Sequence, residues 1–338
     1  MKRVFILGAG ASKFAGYPLG SELWSFIRDN SGGHVIADER RQEVIDSVKR
    51  AVERYLPPSE YDRPNLEELF TYFDLATIGS DLVQLSKMDW KTLRQKVMGM
   101  IADAFQWRQH NLQNELSANT DACSVLQAWT TFLNPGDTII TFNWDLLHEA
   151  ALFKAKKWHY ADGYGFVCLD APPGVKSPIK IIKPHGSVNW AQSDEYDCQP
   201  SIEHKADFFP LSLDDHEKTY LKAAGQWNEG RYLIVPSYLK DLSSNRLLLS
   251  LWNQAQDAVV QAEELIVIGY SLQPADAPSR QLFGSALLRN KKVAKVFYVR
   301  PDSGPDYWDE FCDSVGKYRK PVPGTFEEWV KNPTIPYS

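Results

Sequence analysis

Val4-Phe5-Ile6-Leu7 is an unbroken apolar run that stops at Gly8-Ala9-Gly10-Ala11-Ser12, with Gly16-Tyr17-Pro18-Leu19-Gly20 soon after. A short run with β-branched residues, ended by small ones, reads as a buried strand, a tight turn and a helix start. Backbone N–H groups at such a turn lie unpaired at the positive end of a helix dipole and suit a phosphate. Small side chains let a ligand come close to the backbone. The pattern then changes period. Over 22–28, 35–55, 65–85, 90–116 and 122–132 apolar residues recur at helical spacing, as in Leu66, Leu69, Phe70 and Phe73. Pro57-Pro58, Pro64, Gly79 and Asn134-Pro135-Gly136 punctuate this region. It predicts a helical insertion domain over 21–134.

Strand-type runs resume at 138–142, 179–183, 232–235, 265–268 and 293–299, the last strand expected. Helices are predicted to open at Asn143-Trp144-Asp145 and run through Leu152, near 214–227, over 246–262 and over 278–288. Alternation of this kind predicts an α/β fold, a Rossmann-like doubly wound parallel sheet with helices on both faces. Such sheets bind ligands beyond the carboxyl ends of their strands. Four apolar runs end there in residues with chemical use: Gly8 to Ser12, Asn143 to Asp145, His185 to Ser187, and Gly269 to Ser271. Each alone has a bland reading: Asn143 as an N-cap, Asp145 as a partner of a helix dipole, His185 as a turn residue. Their convergence on one edge favours function. A hydride-transfer fingerprint is excluded, because Lys13 stands where its third glycine falls and no acidic strand end follows about twenty residues on.

Composition narrows the class. The chain has 338 residues, 43% hydrophobic and 24% charged, as in a globular protein. A net charge of -6 argues against a dedicated nucleic-acid or membrane surface. Cys123, Cys168, Cys198 and Cys312 form no C-x-x-C pair, so neither a zinc site of usual spacing nor a disulfide framework is expected. Met1-Lys2-Arg3 precedes an apolar run too short for a secretion signal, and no stretch is long enough to span a membrane. A cytoplasmic location is expected. Tyr307, Trp308, Phe311, Phe326 and Trp329 in the tail, 301–338, suggest packing on the domain or a partner.

The motifs Gly8-Ala9-Gly10-Ala11-Ser12, Gly16-Tyr17-Pro18, Thr141-Phe142-Asn143-Trp144-Asp145, Pro184-His185-Gly186-Ser187 and Gly269-Tyr270-Ser271-Leu272, in that order, resemble the sirtuin (silent-information-regulator) fold. They look most like the sirtuin-like domains of bacterial antiphage defence. The resemblance implies NAD as substrate, with the NAD-binding domain formed by 1–20 and 135–300. It implies that Gly8, Ala9, Gly10 and Ser12 hold the pyrophosphate, that Asn143 and Asp145 lie by the nicotinamide ribose, and that His185 is the catalytic base. Gly269 and Ser271 then line the adenosine side, and Arg300 stands near where relatives place an Asn. Protein-deacetylating sirtuins carry a zinc module after the His-Gly motif, where this chain has only Cys198, and a Phe-Arg where it has Leu19-Gly20. Both departures favour NAD hydrolysis without a metal. An NAD-dependent deacylase or ADP-ribosyltransferase, and a non-catalytic NAD or ADP-ribose binding subunit, are the alternatives. The relatives further imply a homo-oligomer and a HerA-type hexameric ATPase partner.

Overall fold

The computed structural model describes residues 1–30, 38–61, 64–78, 89–117, 121–166, 174–191, 201–202, 231–235, 237, 246–273, 276–293, 295–301 and 307–333. Its strands, in chain order, are β1 (Arg3–Leu7), β2 (Thr138–Thr141), β3 (Lys180–Ile182), β4 (Gly186–Ala191), β5 (Ser201–Ile202), β6 (Arg231–Leu233), β7 (Glu264–Ile268), β8 (Lys295–Arg300) and β9 (Tyr318–Pro323). Six of them form one parallel sheet in the order β3-β2-β1-β7-β8-β9. The chain begins in the middle, builds outward through β2 and β3, and returns to build the other side through β7, β8 and β9. This is the doubly wound Rossmann-like order, and its direction reverses between β1 and β7. Every residue of β1 and β7 is buried, because a central parallel strand is covered on both faces.

The helices are α1 (Leu23–Asn30), α2 (Asp38–Tyr55), α3 (Leu66–Ile78), α4 (Trp90–Ser117), α5 (Asp121–Phe132), α6 (Leu147–Lys154), α7 (Arg246–Gln261), α8 (Ala277–Arg289), α9 (Tyr307–Ser314) and α10 (Phe326–Lys331). The predicted apolar stripe of α3 is real: Leu66, Leu69, Phe70 and Phe73 are all buried. Helix α5 covers the sheet, with Trp129 edge-on to Phe5 at 5.2 Å. No helix among the described residues is long and apolar enough to cross a membrane.

Three expectations are corrected. No α-helix starts at Ser12: two 3-10 turns, Ala9–Ala11 and Lys13–Ala15, follow β1, and α1 begins only at Leu23. The run at 232–235 is not in the parallel sheet; β6 pairs antiparallel with β4 in a separate three-stranded sheet. That sheet starts at Gly186, where a polar sequence hid a strand. The run at 293–299 is not the last strand, because β9 pairs parallel to β8. Pro321 and Pro323 disguised β9, and its place at the sheet's edge tolerates them. The expected helix at 214–227, the end of the helix at 65–85, Cys168 and Cys198 lie outside the described residues.

Candidate active site

The turns after β1 and β7 meet at the point where the sheet reverses. Gly8 N–H donates to Ile268 O at 3.1 Å and Gly10 N–H to Gly269 O at 3.0 Å. Ala11 N–H donates to Gly8 O and Ser12 N–H to Ala9 O. These amides are therefore engaged within the protein, which corrects the expectation of unpaired donors for a phosphate. The glycines have another reason to be there. A Cβ on Gly8 would lie 2.5 Å from Gly269 O and from Tyr270 Cα, and one on Gly10 would lie 2.8 Å from Gly269 Cα. Gly269, at φ +61°, would press a Cβ to 2.6 Å from the Gly10 backbone. The two turns interlock backbone to backbone, and any side chain would part them.

The turn after β2 is pinned to the first of these. Asn143 Nδ2 donates to Gly8 O at 2.9 Å and to Ser12 Oγ at 3.1 Å. Both amide hydrogens are committed, so Oδ1 is left to accept a proton donor. Asp145 is buried; its Oδ1 accepts from Leu147 N–H at 3.0 Å, at the start of α6, and the carboxylate also hydrogen-bonds Ser12. Behind it lies fully buried Lys183, whose Nζ donates to Asp145 O and to Glu149 Oε1, each at 2.6 Å. Burial pushes the Asp145 and Glu149 carboxyls up, and Lys183 pulls both back down.

A cavity of about 950 Å³ opens over these turns. Gly8, Ala9, Gly10, Gly269 and Ser271 line it at the reversal point, with Asn143 and His185 on its wall. Lys13 and Arg300 supply positive charge, and Glu60 and Glu67 reach it from the helical region. Lys13 is ion-paired with Glu22. His185 is nearly buried: its ring lies edge-on to Phe142 at 4.9 Å and 5.9 Å from Trp252. Trp252 Nε1–H donates to Pro184 O at 2.9 Å, which fixes the indole. Asp276 faces the imidazole, Oδ1 to Nε2 at 3.7 Å, while its Oδ2 accepts from Tyr270 O–H at 2.6 Å. Burial first, then Asp276, pushes the Tyr270 phenol well up, so it stays a donor.

Of the residues singled out from sequence, Gly8, Ala9, Gly10, Asn143, His185, Gly269, Ser271 and Arg300 line this one cavity. Ser12 and Asp145 do not: they stand behind Asn143, and both are buried. Sequence reasoning missed Asp276, Trp252 and the Lys183–Glu149 pair. An Asp just before Ala277-Pro278 reads as an ordinary helix cap, and an apolar residue in α7 reads as core. Lys183 was legible only as the end of a strand.

No protein-family description matches this chain, and no curated protein does. Solved structures are similar to this chain, two of them as follows. One, "Structural Basis for the Mechanism and Regulation of Sir2 Enzymes", is 13% identical over 97% of this chain and 89% of its own, with a TM-score of 0.36. The other, "The Structural basis of Sirtuin Substrate Affinity", is 15% identical over 97% of this chain and 91% of its own, with a TM-score of 0.35. At TM-scores this low the fold assignment rests on the strand order rather than on the likeness.

Proposed function

We propose that this chain is an NAD⁺ hydrolase that cleaves the nicotinamide–ribose bond to give nicotinamide and ADP-ribose. One observation carries the reading: Asn143 and His185, from different strand ends, share a cavity with the interlocked turns of β1 and β7. The motif resemblance supplies the ligand, and depletion of NAD in antiphage defence is the role it supports. A dinucleotide fits the residues present. The volume is that of a sizeable ligand pocket, and the glycine surface is bare of side chains. Lys13, ion-paired with Glu22, and Arg300 bring positive charge to this cavity, which suits a diphosphate.

Glycosidic cleavage builds positive charge on the sugar as the bond stretches, and nicotinamide leaves neutral, so no strong acid is required. Asn143 Oδ1 accepts from a ribose hydroxyl or from water and so orients it. His185, whose type titrates near neutrality, takes the proton from that hydroxyl or water. Asp145 acts at one remove: it holds Ser12, and Ser12 holds the Asn143 amide.

Product analysis by mass spectrometry, with NAD alone and with NAD plus an acylated peptide, tests the reading. The proposal expects ADP-ribose and nicotinamide in both incubations. Acyl-ADP-ribose formed only with peptide would show a deacylase, and NAD retained intact on the protein would show a binding module.

A further inference from the structure

Asp276 occupies the N-cap position of α8, yet its side chain makes no capping hydrogen bond. An Asp in that place ordinarily accepts from the first turn of its helix. Here both carboxylate oxygens turn the other way, Oδ2 to the Tyr270 hydroxyl and Oδ1 to the His185 ring. The carboxylate is buried and lines the same cavity as His185. One aromatic stack fixes both partners: Phe142 lies flat on Tyr270 at 4.5 Å and edge-on to His185 at 4.9 Å. A carboxylate diverted from its capping role, gripped by a phenol and aimed at an imidazole, is arranged for that imidazole.

We propose that Asp276 is the positioning residue of His185, orienting its ring and stabilising the imidazolium formed when it accepts a proton. The role rests on reading His185 as the general base. In the step, the O–H bond of water or of a ribose hydroxyl breaks and its electron pair stays on oxygen. The proton bonds to the ring nitrogen that does not face Asp276. The nitrogen that does face it keeps its hydrogen, and the new cation lies against a carboxylate. Phe142 and Trp252, which pack on the imidazole, carry no charge. Glu67 acts on Tyr270 from α3, and Lys13, Glu60, Tyr298, Arg300 and Glu327 also line the cavity.

The test is the titration of residue 185 itself. In protein labelled with ¹³C-histidine, the ring signal of His185 is assigned by its loss in His185→Gln and followed against pH in wild type, Asp276→Asn and Asp276→Glu. The midpoint is expected to fall by about one pH unit or more in Asp276→Asn, since an opposite charge this close favours the protonated ring. Asp276→Glu is expected to keep it near wild type. The acid limb of kcat/KM for NAD cleavage should move with the midpoint, and kcat should fall about tenfold or more with KM little changed. Equal midpoints in wild type and Asp276→Asn would overturn the proposal. A shifted midpoint in a protein that leaves NAD intact keeps this pairing and removes the hydrolase reading. An unshifted midpoint in an active enzyme removes the pairing alone. Should Asp276→Asn fail to fold, Asp276→Ser carries the same expected shift.

Discussion

At the scale of single residues, the site separates into side chains that face the cavity and side chains that hold them. Asn143 does both, through Oδ1 and Nδ2. Asn143→Ala is expected to abolish NAD cleavage and, by releasing Gly8 O and Ser12, to lower stability by about 1 kcal/mol, read by urea unfolding. His148 illustrates a different use of burial. It is fully enclosed, 5.9 Å from the Trp129 ring and 5.5 Å from Phe326, with no hydrogen-bond partner on either ring nitrogen among the described residues. Burial first, then Lys183, pushes its pKa down to about 3. The folded state therefore refuses a proton that the unfolded chain accepts near pH 6.5. Stability from this residue is flat above that pH and is lost as pH falls from about 6.5 toward 3, at up to about 1.4 kcal/mol per pH unit. His148→Leu is expected to flatten that loss, seen as a smaller difference between urea midpoints at pH 7.5 and 5.5 than in wild type. Comparing the two proteins isolates residue 148 from Asp145 and Glu149, whose raised pKa values act with the opposite sign. His185 and Asn143 could be read from sequence because each follows an apolar run. His148 and Asp276 could not, since their meaning lies in neighbours distant along the chain.

At the scale of elements, the strand ends position the site and the glycine turns close it. The β1 and β7 strands declared themselves as continuous apolar runs because both of their faces are covered. Strand β9 stayed hidden, since an edge strand with two prolines carries no such signature. The turn glycines were legible as residues that let a ligand approach, but the backbone-to-backbone contact they also permit could not be read. Gly269→Ala is accordingly expected to destabilise by about 1–3 kcal/mol and to weaken cleavage, because φ +61° and the 2.6 Å approach to Gly10 leave no room. Differential scanning calorimetry beside a turnover assay reads both effects. Under the β2 turn, Lys183→Met would leave Glu149 buried without its cation. The expected cost is about 3–5 kcal/mol, with much of it recovered in the double variant Lys183→Met/Glu149→Met.

For the whole molecule, residues 307–333 complete the domain. Trp308 donates its Nε1–H to Tyr270 O at 2.7 Å, Phe326 packs on Trp129 and His148, and Trp329 packs on Phe132. All three are buried, so these aromatics of the tail pack into this chain's own core, while Tyr307 stays exposed. Gly324 to Glu327 also reach the cavity, which is thus walled by the sheet, the helical region and the tail together. The claim joining these parts is that Asn143 and His185 act on a dinucleotide in that one space. Nicotinamide release from NAD, measured by chromatography with purified wild type and His185→Ala under identical conditions, tests it most directly. The account predicts release by wild type without any acylated peptide, and none above background by a folded His185→Ala protein. Equal release from both proteins, or none from either, would contradict it.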